Sequence, residues 1–309
     1  MLPRPTSEPD APGASRPDGT PTIAGGSAET WRAPRTTTRA HGAHAAYSRP
    51  VLVLLPPSEG KTAPRRGVPV DLDSLSHPAL NPARAKVLDA LVEVSARPDA
   101  VDVLGVSRGL ADEVARNTTL REATTAAARF VYTGVLYAAA GLDRLTPTQR
   151  RRAAESVRIY CGLWGVVTPE DPIPAYRLSG GADLPGIGPL GAFWRTALPD
   201  VLDAEADGAL VVDGRSADYV AMWRPPTTAD WVNVRVEREV GGRRSVVSHN
   251  AKHARGVLTR HLVTRRGRAP RDADGLAAAA HELVGDAWLA VELGARPARG
   301  ARTLTLVVA

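Results

Sequence analysis

The chain has 309 residues, 43% of them hydrophobic and 23% charged, with a formal net charge of +6. That balance excludes a fibrous or low-complexity protein, and the length holds one large or two ordinary domains. One cysteine, Cys161, excludes an internal disulfide and a zinc site built from cysteines, and no apolar run reaches the ~18 residues that cross a bilayer.

Residues 1 to 48 are Pro, Ala, Gly, Ser, Thr and Arg with almost no bulky apolar side chains. Such a segment cannot bury enough surface to offset its ordering entropy, so a disordered tail is expected, with the folded domain over 49 to 309. The N-terminus lacks the charged-then-apolar order of a signal peptide, and a cytoplasmic location is expected. Val51-Leu52-Val53-Leu54-Leu55, ended by Pro56-Pro57, predicts a strand buried on both faces. Helices are predicted over Asn81 to Ala96 with Pro82 in the first turn, Ala111 to Arg116, Ala123 to Phe130, and Pro147 to Ser156 behind an N-capping Thr146. Val157 to Tyr160 reads as a strand, Phe193 to Ala206 as a helix and Ala209 to Asp213 as a buried strand. Trp231 to Glu239 alternates apolar and polar residues, turns at Gly241-Gly242 and returns through Ser245-Val246-Val247-Ser248. Helices over Ala251 to Thr264 and Asp272 to Leu283 precede closing strands at Trp288 to Leu293 and Leu304 to Val308. Strands alternating with helices, plus one hairpin, predict a single α/β domain with a mixed sheet flanked by helices.

Several constellations carry chemistry. Ser58-Glu59-Gly60-Lys61-Thr62 follows the first strand. It is no phosphate-binding P-loop, because Leu55 stands where the first glycine is required. It does place a hydroxyl, a carboxylate and an ammonium at the carboxyl end of a buried strand, where open α/β sheets bind ligands. A Glu59-Lys61 pair in a cleft would tune for proton transfer; the alternative is a solvated turn. The segment from Tyr160 to Leu178 mixes Gly, Pro, aromatics and charge without periodicity, as site-shaping loops do. Arg177 in it suits bidentate grip of a phosphate or carboxylate, Trp164 and Tyr176 are candidate stacking rings, and Cys161 reads as a small buried filler.

On a helix, Lys252, Arg255 and Thr259 share one face near the N-terminus, an anion site or an ordinary basic surface. His249 and His253 have the spacing of two metal ligands, but no carboxylate motif accompanies them, so no metal and no other cofactor is expected. Leu184-Pro185-Gly186-Ile187-Gly188 leads into a helix as the hairpin of a helix-hairpin-helix DNA-binding motif does, with Gly186 and Gly188 freeing amides for a phosphate. The preceding Leu178 to Asp183 is a poor helix, so this is half a motif. Val212 to Tyr219 gathers polar residues at the end of another strand. The arginine-rich charge fits a polyanion-binding surface and equally a GC-rich coding sequence.

These segments together resemble the YaaA peroxide-stress protein family. The resemblance rests on Leu54 to Thr62, Val131-Tyr132-Thr133-Gly134-Val135, Cys161 to Leu178, Phe193-Trp194, Ser216 to Tyr219 and Lys252-His253-Ala254-Arg255-Gly256. It implies one compact α/β domain with a positively charged cleft, DNA binding without strong sequence preference, and a role in limiting oxidative DNA damage and free iron. Its characteristic lysines and arginines fall on Lys61, Arg177, Lys252 and Arg255, and the expected DNA- or anion-binding set adds Thr62, Tyr132 and Arg260 to them. Thr168 and Asp218 depart from the family pattern. The competing function is an enzyme acting on a small phosphorylated or nucleotide-like substrate, with Ser58, Glu59 and Lys61 as acid-base groups. An iron-buffering protein is a third reading with little support in the residues.

Overall fold

Continuous apolar residues make β1 (Leu52–Leu55), a strand with every side chain buried. The chain then builds helices before returning to the sheet. α1 (Asn81–Ser95) carries Pro82 in its first turn and buries Val87, Leu88, Leu91 and Val94, an apolar stripe at helical spacing. α2 (Ala111–Arg116) and α3 (Val135–Ala140) follow. α4 (Pro147–Ser156) starts in a capping box, Thr146 accepting from the Gln149 amide and Gln149 from the Thr146 amide. It runs straight into β2 (Val157–Cys161), which folds back as β3 (Gly165–Val167). After α5 (Leu190–Ala197) and α6 (Pro199–Ala206) come β4 (Leu210–Asp213), the long β5 (Asp230–Val240) and β6 (Arg243–Val246). α7 (His249–Thr264), α8 (Ala273–His281), β7 (Ala290–Leu293) and β8 (Arg302–Val308) complete the domain. This computed structural model describes residues 51–246 and 249–309, the side chains of residues 249 and 250 excepted. The expected tail over 1 to 48, the Val247-Ser248 end of the hairpin return and the His249 member of the histidine pair lie outside the described residues.

The eight strands form one mixed sheet in the order β7-β8-β5-β4-β1-β2-β3, with β6 paired to β5. The five central strands are parallel, and β3, β6 and β7 run antiparallel to their neighbours. β1 is the pivot. Val53 pairs with Val157 on one side and with Val212 on the other. The chain leaves β1 for β2 and later crosses back past it to β4. Loops leaving β1 and its two neighbours therefore diverge at one sheet edge, the usual place for a ligand site in such sheets.

The single α/β domain with a mixed sheet and flanking helices is as the sequence predicts. Three local differences have physical causes. The expected helix over Ala123 to Phe130 starts only at Ala128, because Ala126–Ala127 pairs with Pro172–Ile173 and the Thr125 amide donates to Val68. Cross-chain hydrogen bonds there outweigh the helix propensity of alanine. The Phe193 to Ala206 helix begins earlier, at Leu190, and breaks at Pro199, whose ring nitrogen has no proton to donate. α3 escapes the sequence reading because it starts on β-branched Val135 after Gly134 (φ 99°), with no polar capping side chain.

Candidate functional site

The loop after β1 is pinned against residues 131 to 134. The Thr62 amide donates to the Val131 carbonyl at 2.9 Å, and Thr133 donates to Gly60 O from both its amide (3.3 Å) and its hydroxyl (3.0 Å). This pairing directs Lys61 between two tyrosines. Its Nζ stands 4.4 Å from the Tyr176 ring centre and 5.7 Å from that of Tyr132, and donates to the Ser58 carbonyl at 2.9 Å. The two phenol oxygens are 2.9 Å apart, and both hydroxyls hydrogen-bond the Cys161 thiol. Burial lowers the Lys61 pKa to about 8, against the opposing charges of Glu59 and Cys161 and with help from Arg177. Burial also pushes the Tyr132 and Tyr176 phenols well up, and raises the Cys161 thiol against its hydrogen bonds to them. A depression of about 240 Å³ opens beside the cage, lined by Tyr132, Thr133, Gly134 and Tyr137 among others.

Arg177 closes the other side. Its Nη2 pairs with Glu59 Oε2 at 2.9 Å, its Nη1 donates to the Glu59 carbonyl at 3.2 Å, and Glu113 of α2 stands 3.7 Å away. Glu59 is exposed, so this ion pair stands at the surface with its carboxylate largely in water and its guanidinium mostly buried. Ser58 is buried, and its hydroxyl lies so near Gly134 that a β-carbon there would be 3.1 Å from it. The backbone of Arg177 is fixed by Asn117, at the end of α2, which accepts from the Arg177 amide and donates to its carbonyl, each at 2.8 Å. Behind it, Asn117 donates to Ser95 at 3.1 Å.

The structure thus brings Ser58, Glu59, Lys61, Tyr132, Tyr176 and Arg177 together, with Thr62 exposed at the edge. It does not add Lys252, Arg255 and Arg260 to them as one anion-binding face. Arg255 turns toward the sheet and donates twice to the Val234 carbonyl (3.2 and 2.9 Å), and buried Thr259 donates back to the Arg255 carbonyl. Burial lowers the Arg255 pKa, with Asp213 opposing. Lys252 is exposed, and Arg260 reaches the Gly141 carbonyl at 3.4 Å. The shared helical face was real in spacing, but packing against β5 takes two of its three members. The stacking roles of Trp164 and Tyr176 are likewise corrected. Both are buried, Trp164 completely, and their rings pack edge-on at 6.2 Å, leaving no open face for a base.

The hairpin containing Gly186 (φ 77°) and Gly188 (φ 84°) forms, with Asp183–Leu184 paired to Gly188–Pro189 and α5 following. Residues 174–179, before it, form neither helix nor strand, so it stays half of a helix-hairpin-helix motif. His253 is exposed. Among the described residues no three His, Cys, Asp or Glu side chains gather as metal ligands, and no helix is long and apolar enough to cross a membrane.

Sequence reasoning missed two supports. Asn117 gave no signal, since nothing in its neighbourhood points sixty residues ahead. Arg84 in α1 is fully buried and donates to the Trp164 (3.1 Å) and Val166 (2.9 Å) carbonyls, holding the turn that follows Cys161. Glu170 and Asp171 divide the work in the same segment: Asp171 accepts from the Thr168 amide and hydroxyl and from Ser76, while Glu170 pairs with Arg129 at 2.9 Å. Cys161 is the buried filler expected, with the added role of bonding both phenols.

Comparison with known proteins places the chain in a family. The family model described as peroxide stress protein YaaA matches residues 51–283. A UPF0246 protein of Streptomyces coelicolor is 45% identical over 262 residues, covering 84% of this chain and 98% of its own length. Another, from Corynebacterium efficiens, is 41% identical over 264 residues, covering 84% of this chain and all of its own. A third, from Corynebacterium glutamicum, is 40% identical over 218 residues, 69% of this chain and 84% of the relative. The matched span runs from β1 through α8 and so holds every side chain of the Lys61 cage, and the chain belongs to the YaaA peroxide stress protein family.

Proposed function

We propose that this peroxide stress protein acts on a small anionic, phosphorylated or nucleotide-like substrate by proton transfer at Lys61. The observation that carries the reading is the Lys61 ammonium, desolvated between Tyr132 and Tyr176 at the carboxyl end of β1, with a pKa of about 8. A group with that pKa is roughly one-tenth neutral at pH 7, which suits it to both giving and accepting a proton near neutrality. The substrate anion replaces Glu59 at the Arg177 guanidinium, which Asn117 holds in place. Glu59, released, is the second proton-carrying group, and the buried Ser58 hydroxyl is a hydrogen-bonding contact. Perturbed titratable groups in a strand-end cleft are where such chemistry concentrates.

A second reading has its own support. The net charge of +6, the exposed Lys252 and Arg260 and the glycine turn at Gly186 and Gly188 fit nonspecific contact with DNA phosphates in a basic cleft. Protection of DNA from oxidative damage would then follow from contact, and lowered free iron would be an indirect effect.

One experiment separates the two. A host lacking its own copy of the family is challenged with hydrogen peroxide while carrying the wild type, Lys61→Met, or Lys252→Ala/Arg260→Ala. The proton-transfer reading expects Lys61→Met to lose protection and the double variant to keep it. Lost protection in the double variant alone, with a flattened salt dependence of its DNA binding, removes Lys61 chemistry from the protective role.

A further inference from the structure

A second cavity, of about 510 Å³, lies at the carboxyl end of β4, and none of the residues around Lys61 lines it. Its size is that of a small-molecule site. Its walls are of two kinds. Arg224, Arg255, Ser216 and Asn233 supply polar groups, and Trp231 with Val220 supplies apolar surface. Asp213 is also present, but its carboxylate is spent on Arg215, at 2.9 and 2.7 Å, with the Trp231 indole nitrogen donating to it at 3.1 Å. The buried Asp213-Arg215 pair cancels itself, which leaves Arg224 and Arg255 as a net charge of two cations facing the space.

Those two cations are available. Arg255 uses Nε and Nη2 on the Val234 carbonyl, which fixes the guanidinium plane and leaves Nη1 without a hydrogen bond among the described residues. Arg224 is exposed and meets no acid within ion-pair distance among the described residues. Ser216 stands at the N-cap of the short helix Ala217–Val220 without using its hydroxyl there, so that hydroxyl is free to donate into the cavity. Asn233 is exposed on β5. A fixed guanidinium, an exposed one, a hydroxyl and a carboxamide are the usual donors for a phosphate, and an indole beside them offers aromatic surface to a flat organic group.

We propose that this cavity binds a small phosphate ester with a planar organic body, its phosphate on Arg224 and Arg255 and its body against Trp231. The site is independent of the Lys61 chemistry proposed above, whether as a second substrate site or as an effector site.

The test is calorimetric titration of the full chain with adenosine monophosphate, with adenosine and inorganic phosphate as separate probes. Adenosine monophosphate is expected to bind more tightly than either fragment. Arg224→Glu, on an exposed residue, and Arg255→Lys, which keeps the charge and loses the fork, are each expected to weaken it at least about tenfold. Lys86→Ala, on the exposed side of α1, is expected to bind as the wild type does. Arg224→Ala serves if circular dichroism shows that Arg224→Glu misfolds. Equal binding of inorganic phosphate and the nucleotide overturns the planar-body assignment, and equal binding of adenosine overturns the phosphate assignment. No heat at millimolar ligand, or displacement of the nucleotide by duplex DNA in an Arg224-dependent way, overturns the proposal outright.

Discussion

Asn117 holds Arg177 by both of its backbone polar groups, accepting from the amide and donating to the carbonyl at 2.8 Å each. The clamp spans sixty residues of sequence and makes one side chain the substitute for a strand partner. It keeps the Arg177 guanidinium beside Glu59, on the far side of the Lys61 cage. Asn117→Leu leaves a buried amide and a buried carbonyl unpaired. Each such group costs about 1–3 kcal/mol, so the variant is expected to lose about 2–4 kcal/mol. Asn117→Asp still accepts from the Arg177 amide and is expected to lose less. Urea unfolding of the two variants ranks them; equal midpoints for Asn117→Leu and wild type would remove the clamp from the stability of the domain.

Arg84 performs the same task for the turn after Cys161, with a charge. Its guanidinium is fully buried and donates to the Trp164 and Val166 carbonyls and to Asn81 Oδ1 (3.1 Å). Burial lowers its pKa to about 10, with Asp171 and Cys161 opposing. Arg84→Met matches the stem but leaves the carbonyls without donors. A loss of about 3 kcal/mol is expected, offset in part by the removed desolvation of the charge. Thermal unfolding near neutral pH checks it. A variant as stable as the wild type would mean that the charge cost as much to bury as its hydrogen bonds returned.

How much of this was legible follows from what each feature depends on. Leu52–Leu55, Val157–Cys161 and Leu210–Asp213 announce themselves because a strand covered on both faces is apolar throughout. Thr146-Pro147 announces α4 because capping is local chemistry. Within the site, Ser58 to Lys61 and Arg177 were readable as polar residues in strand-end loops. What they do was not readable, because Lys61 is shaped by Tyr132 and Tyr176, which lie 71 and 115 positions along the chain. The basic helix face misled for the complementary reason. Spacing along α7 shows which residues share a stripe, and only the packing of β5 beneath it shows that Arg255 and Thr259 face inward.

Gly256 marks a close approach of α7 to α3. A β-carbon placed on it would lie 2.2 Å from the Leu136 carbonyl oxygen and 2.8 Å from the Ala139 β-carbon. Backbone cannot yield as a flexible side chain does, so Gly256→Ala forces the helices apart. The expected loss is about 1–3 kcal/mol, the usual cost of overpacking, against a gain of up to about 1 kcal/mol in helix propensity. Because α3 follows directly on Gly134, the displacement also reaches the Ser58 hydroxyl. Denaturant unfolding gives the sign. Unchanged or increased stability would show that the helix pair has room the distances deny it.

Lys61 makes stability depend on pH in a direction that burial fixes. Its pKa falls from 10.5 to about 8 on folding, so between those values the unfolded chain binds the proton that the folded chain has released. Stability then rises with pH across that window, and below about pH 8 the full cost of burying the ammonium is present. The side chain keeps some exposure, so the cost is on the order of 2 kcal/mol after discount for solvent. Lys61→Met removes it. The variant is expected to be more stable than the wild type at pH 7, with the difference shrinking between pH 8 and 10.5 as the wild type loses its charge. Taking the difference between the two proteins cancels every other group that titrates there. A variant less stable at pH 7, or a difference that stays constant through the window, would mean that Lys61 is a structural cation held by Tyr176. It would then not be an ammonium kept ready to lose its proton.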